Sequence, residues 1–148
     1  MAASAISPLT SGRTLSSGRL SAASRLRKRS EFRAVQAQAS RVVTRHFVFL
    51  LHMPNAAQRS PRLGITASRK VGNAVARNRA KRLVREAFRA TRDLWQPGLD
   101  LVVIVRASLG EMKLLDVVSQ WRSAEPALRR TVSSIARAHS IANAQGAR

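Results

Sequence analysis

The sequence predicts an α+β fold, a two-layer sandwich in which helices pack against one sheet. Apolar residues change between helical and strand spacing in the order α-β-β-β-α-β-α over residues 23–130. A hydrophobic fraction of 45% in 148 residues is enough for the core of one domain. Residues 1–22 are rich in Ser, Ala and Gly without a period, and we expect them to form a disordered basic arm. We expect residues 131–148 to form a flexible tail.

The first half of the domain begins with a helix that Ser30 can cap. Phe32, Val35 and Ala39 follow at helical spacing. Short apolar runs, separated by turn residues, then predict three strands at residues 42–43, 47–51 and 63–67.

The second half contains a long helix, for which Asn73 is the expected N-cap. This helix should end before the turn signal at residues 96–98, and an apolar strand should occupy residues 99–105. Ser108 and Glu111 have the spacing of a capping box for a last helix. The inner stripe of that helix is predicted to be Leu114, Val117, Val118 and Trp121.

Residues 69–89 combine a helical apolar period with eight Lys or Arg and a single acid, Glu86. On a helical projection Leu83, Val84 and Phe88 fall on one side. The cations on the other side are Lys81, Arg82, Arg85, Arg89 and Arg92. A solvated surface helix has this polarity too, but it usually interleaves acids with its cations. The pattern therefore favours a helix that docks by one face and offers the other to a polyanion.

The overall charge supports the same kind of partner, because a net charge of +20 and a pI near 12.0 attract nucleic acid or an anionic membrane. No apolar run approaches the length of a membrane span, and the apolar face of the basic helix is needed for the core. The absence of Cys excludes thiolate metal sites and fits a cytoplasmic protein. The acid-free segment before Glu31 also resembles a transit peptide, although a disordered arm is the favoured interpretation.

One block of sequence resembles the signature of the bacterial ribonuclease P protein subunit. Its core is Lys70-Val71-Gly72-Asn73-Ala74-Val75, followed by Arg77-Asn78-Arg79 and Lys81-Arg82-Leu83. Similar segments occur near Phe32, Phe47 and Leu101, and the resemblance covers residues 22–125. It implies a mixed four-stranded sheet like that of ribosomal protein S5 domain 2. It also implies a left-handed βαβ crossover, against the usual handedness.

The resemblance further implies a ribonucleoprotein endonuclease that removes the 5′ leader of precursor tRNA. A catalytic RNA would carry the chemistry with Mg²⁺ held mainly by RNA, one protein would bind each RNA, and the protein itself would contribute no catalytic residue and no metal ligand. We expect contacts with this RNA from Arg69, Lys70, Asn73, Arg77, Asn78, Arg79, Lys81, Arg82, Arg85 and Arg89. We expect the leader to lie in a cleft between the first helix and the sheet, lined by Lys28, Phe32, Arg33 and Phe49.

Two positions depart from the family pattern. Gln36 stands where the first helix usually carries a second aromatic residue, and Leu50 stands at another position that is often aromatic. Since stacking on an aromatic ring contributes about 1–3 kcal/mol per base, the cleft should depend more on cations than in relatives. The face of the strand on which Phe49 lies is left open by the sequence.

Other residues admit an enzymatic interpretation. His46 and His52 flank an apolar strand and could form an acid–base pair. The favoured interpretation is that His46 is a polar strand end near RNA and that His52 lies at the entrance to a loop. Trp95 and Trp121 could stack on bases, although core packing is favoured for both. The seven acids form no cluster in sequence that would suit a two-metal nuclease. A general RNA-binding protein, an autonomous nuclease and a membrane-surface protein remain the alternatives.

Overall fold

The structure is a computed structural model that describes residues 25–26, 28–54 and 60–146. The predicted arm at residues 1–22 lies outside the described residues. The helices are α1 (Arg29–Gln38), α2 (Ala74–Ala90), α3 (Leu114–Ser123) and α4 (Glu125–Gly146). The strands are β1 (Ser40–Val43), β2 (Phe47–His52), β3 (Arg62–Ala67) and β4 (Asp100–Val105).

The four strands form one mixed sheet in the order β1-β2-β4-β3. β2 pairs antiparallel with both β1 and β4, and β3 pairs parallel with β4. α2 therefore connects two neighbouring parallel strands, β3 and β4. The α+β class and the four-stranded mixed sheet are confirmed, while the left-handedness of this crossover stays a prediction.

The sheet buries side chains on both of its faces. On one face Phe47, Phe49, Leu51, Leu101 and Val103 join the main core, which α2, α3 and α4 cover. On the opposite face a smaller cluster forms where α1 packs by Val35 against the sheet residues Val48, Leu50 and Val102. The two-layer description thus holds for α2 to α4, and α1 adds a partial layer on the other side.

α2 forms because its first turn is prepared by the chain before it. Gly72 has φ of 136°, a conformation that costs little for glycine alone, and it ends a 3₁₀ turn at Arg69–Val71. The side chain of Asn73 then accepts a hydrogen bond of 3.0 Å from the amide of Ala76, which confirms the predicted N-cap.

The other two predicted caps were wrong. Ser30 lies inside α1, because the helix begins at Arg29 and the backbone amide of Lys28 donates to the Glu31 carboxylate at 3.1 Å. Ser108 accepts a hydrogen bond from Gly110 in a turn, and α3 begins only at Leu114. In both helices an acid in the first turn satisfies the preceding backbone amide, so a capping hydroxyl is not needed.

The predicted boundary at residue 130 needs correction, because α4 crosses it without interruption as far as Gly146. Leu128 and Val132 are buried in the main core, and Ile135 packs against it. These positions have the i, i+4, i+7 spacing of a buried helical stripe. The segment predicted as a tail from residue 131 thus continues a core helix.

Candidate nucleic-acid interface

α2 presents one apolar face and one cationic face. Ala80, Leu83, Val84, Ala87 and Phe88 are buried against the sheet, as the projection predicts. Of the ten residues predicted to contact RNA, five are exposed, namely Arg69, Lys70, Asn73, Asn78 and Arg82. The other five are partly buried, namely Arg77, Arg79, Lys81, Arg85 and Arg89. The helix therefore offers a surface of donors and positive charge beside the turn at Gly72.

Most carboxylates of the domain are engaged away from this surface, although Glu86 lies on α2 itself. Asp93 and Glu125 bind Arg122 and Arg129 where the 3₁₀ turn after α2 meets α3 and α4. Hydrogen bonding to the Arg122 guanidinium is the main cause that lowers the pKa of Asp93. Within the described parts of the chain, no salt bridge joins a carboxylate to a cation of α2. These ion pairs therefore do not neutralise the cationic face of α2.

Two arginines of α2 are also bound to the domain itself. Arg77 donates from Nη1 to the carbonyl of Gly72 at 2.9 Å. Arg79 donates from Nη1 to the carbonyl of Gly110 at 3.2 Å and from Nη2 to that of Met112. Arg79 thus attaches the first turns of α2 to the loop before α3. Its contact with RNA stays a prediction.

Arg79→Ala is expected to lower the free energy of unfolding by about 1–2 kcal/mol, because two carbonyls lose a charged donor. Arg82→Ala is the matched control, since Arg82 is exposed and its replacement should change stability by about 0.5 kcal/mol or less. Urea denaturation of both variants measures the difference. Equal stability in the two variants would mean that the contacts of Arg79 do not hold the loop.

The second predicted surface lies where α1 crosses the sheet. The ring of Phe32 rests over Gly64 of β3, and it packs against the cluster around Leu26 and Val35. Lys28, the residue before α1, and Arg33 on α1 are exposed. Three of the four predicted cleft residues, Lys28, Phe32 and Arg33, therefore lie together at the start of α1. Val43, an apolar residue of β1 in the same sheet, is 52% exposed.

Phe49 was wrongly placed in this cleft. It is fully buried on the other face of the sheet, where its ring stacks against Trp95 and meets Trp121 edge-on. Because side chains alternate along a strand, Val48 and Leu50 face α1 instead. Trp95 and Trp121 are core residues, as the favoured interpretation predicts.

Gly64 is required by the close approach of Phe32. A Cβ atom at this position would lie 2.7 Å from Cε1 and Cζ of the ring. Gly64→Ala is expected to displace the ring and lower the free energy of unfolding by about 1–3 kcal/mol. Thr66→Ala is the control, because Thr66 lies on the same face of β3 but is exposed. A crystal structure of Gly64→Ala with the ring unmoved would contradict this assignment.

The residues with enzymatic interpretations do not assemble into one site. Nδ1 of His46 lies 2.9 Å from Nε2 of Gln120, whereas His52 lines a separate cavity together with His139. Burial is the main cause that lowers the pKa of His52. Among the described residues, no group of three or more His, Cys, Asp or Glu could hold a metal ion. Nor does any helix in the described ranges have the length and apolarity to cross a membrane.

One cation that sequence reasoning missed is Arg25. It pairs with Leu63 at the outer edge of β3 and lines a cavity together with Lys81 and Arg85 of α2. Only the three-dimensional pairing of residue 25 with β3 brings it there. The charge of the N-terminal segment was the available signal, but charge alone does not indicate where a segment docks.

Comparisons with known proteins agree with this geometry. The family model described as Ribonuclease P matches residues 20–130. The ribonuclease P protein component of Syntrophus aciditrophicus is 39% identical over 93 residues, covering 63% of this chain and 76% of the relative. That of Shouchella clausii is 41% identical over 95 residues, covering 64% and 77%.

Solved structures share the fold. The RNase P protein of Staphylococcus aureus superposes with a TM-score of 0.60 at 32% identity, covering 68% of this chain and 91% of that protein. The RNase P protein of Thermotoga maritima gives a TM-score of 0.60 at 32% identity, covering 72% and 96%. The family model matches most of the chain, and the relatives and the solved structures agree with that match. This chain therefore belongs to the ribonuclease P family.

Proposed function

We propose that this chain binds a catalytic RNA through α2 and holds the 5′ leader of precursor tRNA beside α1. As a protein component of ribonuclease P, an endoribonuclease, it assists removal of the leader to give the mature 5′ end of tRNA. The assignment of the catalytic RNA to α2 rests on one observation. In the described residues no salt bridge neutralises the cationic face of this helix, so the face suits a phosphate backbone. One protein per RNA and a cytoplasmic location complete the proposal.

The charges of α2 support a binding role because an apolar face fixes the helix on the domain. Burial of a large apolar side chain such as Leu83 or Phe88 stabilises the docked helix by about 1.5–3 kcal/mol. The exposed Lys70 and Arg82 then repel their neighbours, and phosphate groups remove this repulsion when RNA binds. Asn78, exposed on the same helix, adds a donor and an acceptor for sugar or base edges.

The leader would lie along α1 beside Phe32, with Lys28 and Arg33 at its phosphates. Gln36 is exposed on this helix, where relatives usually carry an aromatic residue. One stacking contact is therefore replaced by a polar one, and phosphate contacts supply a larger share of the affinity. Leu50 is buried under α1, where it provides apolar packing and no aromatic ring for stacking.

In the proposal Mg²⁺ is held mainly by the RNA. Among the described residues, no group of three or more His, Cys, Asp or Glu could hold a metal ion. The protein would act by binding: it aligns the precursor and holds the RNA in the geometry that binds the ion. The protein would contribute affinity for the reacting complex and would not supply a general base.

Reconstitution tests the proposal. The purified protein alone should not process precursor tRNA, and a bacterial ribonuclease P RNA at low Mg²⁺ should process it only when the protein is added.

Substrates with a long leader and with a single-nucleotide leader distinguish the leader surface at α1 from the RNA surface at α2. Phe32→Ala should weaken the advantage of the long leader and spare RNA assembly. Metal-dependent cleavage by the RNA-free protein, or RNA binding without activation, would rule the proposal out.

A further inference from the structure

A cavity of about 150 Å³ lies at the outer edge of β3, between the segment before α1 and helix α2. Arg25, Lys81 and Arg85 contribute its cations, and Phe32 and Gly64 form part of its wall. The segment before α1 is held there by backbone pairing. Arg25 bridges to Leu63, and the amide of the next residue donates to the Leu63 carbonyl at 3.0 Å.

The cations around this cavity are crowded and incompletely bonded. Burial, followed by repulsion from Arg25 and Arg89, lowers the pKa of Arg85. Nε of Arg25 and Nη1 of Arg89 are buried without a hydrogen-bond acceptor. In the described part of the chain no salt bridge supplies a carboxylate to Arg25, Lys81, Arg85 or Arg89. Buried donors normally have partners, and a negatively charged acceptor beside Arg25 and Arg85 would both satisfy such donors and offset the repulsion between the cations.

We infer that this cavity binds one phosphate group of the RNA backbone, clamped between Arg25 and the cations of α2. A guanidinium offers parallel donors that match two oxygens of a phosphate, and Lys81 adds a point charge. The volume equals that of several water molecules, which leaves room for a tetrahedral oxyanion. This inference rests on the proposed function for its choice of RNA as the source of the phosphate.

The position of the cavity makes the phosphate a link between the two proposed RNA surfaces. Lys81 and Arg85 belong to α2, which faces the catalytic RNA in the proposal. Arg25 leads into α1, and Phe32 lies in both the cavity wall and the leader cleft. A bound phosphate therefore holds the start of α1 against α2, so that docking on the RNA also fixes the leader cleft.

Protection by inorganic sulfate and phosphate tests the cavity without RNA. At constant ionic strength, replacing chloride by either oxyanion should raise the thermal midpoint of the wild-type protein in a saturable manner. Arg85→Gln should abolish this rise. Without oxyanion this variant should be as stable as wild type or more stable, because repulsion is relieved. Arg130→Gln, an exposed arginine on α4, is the matched control and should keep the full response. An equal response in Arg85→Gln and wild type would overturn the site.

Salt-dependent binding of a ribonuclease P RNA tests the source of the phosphate. Arg25→Gln should reduce the slope of log K against log salt by about 0.7–0.9, the value for one lost phosphate contact. Arg130→Gln should leave the slope unchanged. Oxyanion protection with an unchanged slope in Arg25→Gln would overturn the assignment to RNA and indicate a free anion. Failure of the proposed function would appear instead in the processing assay, with oxyanion protection intact.

Discussion

Arg62→Met is expected to lower the free energy of unfolding by about 3 kcal/mol, which is a large fraction of the stability of a small domain. Arg62 donates from Nε and Nη2 to the two oxygens of Asp100, at 2.9 and 2.8 Å, and from Nη1 to Glu31 at 2.8 Å. Asp100 is only 3% exposed. The variant removes a bidentate guanidinium from a buried carboxylate, and the desolvation of that charge is then poorly offset.

Urea denaturation measures this loss, and a second ion pair provides the control. Arg122 also binds both oxygens of its partner, donating from Nη1 and Nη2 to Asp93, but Asp93 is 51% exposed. Arg122→Met should therefore cost about 1 kcal/mol or less. The double variant Arg62→Met with Asp100→Leu should regain stability, because the buried charge is gone. Equal losses in Arg62→Met and Arg122→Met would show that burial does not set the strength of the pair.

The Arg62 network also bears on the leader cleft. Glu31 belongs to α1, Arg62 to β3 and Asp100 to β4, so the network attaches the first helix to two strands. The same helix carries Phe32 over Gly64. Loss of Arg62 should therefore loosen α1 on the sheet and weaken leader binding as well as stability.

α2 shows which features could be predicted from sequence. Its cap at Asn73, its buried stripe through Leu83 and Phe88 and its outward cations all follow from helical geometry within the helix itself. Contacts between segments that are distant in sequence could not be predicted from helical geometry. The attachment of Arg79 to the loop at Gly110 and Met112 depends on where α3 packs, so a residue predicted to contact RNA also holds the domain together.

The misplacement of Phe49 has a different cause. All residues of β2 from Phe47 to Leu51 are apolar and buried, so alternation within the strand does not distinguish its two faces. The pairing register distinguishes the two faces of β2. Phe49 lies opposite Val103 in the main core, while Leu50 lies opposite Val102 under α1. Only the packing of helices on both faces of the sheet explains why such a strand lacks a polar side.

The long helix α4 was predictable in part. Leu128, Val132 and Ile135 have helical spacing, and Glu125 bonds to Arg129 one turn later. The surrounding Ala and Ser obscure this period, and the family match ends at residue 130. The ion pairs of Asp93 with Arg122 and Arg129 then join α4 to α3, a connection that sequence distance concealed.

Replacing Arg69, Lys70 and Arg82 together by glutamine is expected to cause the largest loss of RNA binding. All three are exposed beside or on α2, and among the described residues none forms a salt bridge. The slope of log K against log salt for a ribonuclease P RNA should fall by about 2–3, since each lost phosphate contact removes about 0.7–0.9. Stability should change little, because exposed side chains without such contacts rarely contribute to it.

The matched control removes the same charge elsewhere. Arg45, Arg130 and Arg137 are also exposed but lie in the turn after β1 and on α4. Replacing these three by glutamine changes the net charge equally, so a general attraction between the basic protein and RNA would weaken to the same extent in both variants. If α2 is the docking surface, only the first variant loses most of its affinity and requires more protein to activate precursor processing. Equal losses would assign the affinity to overall charge and exclude α2 as a specific RNA surface.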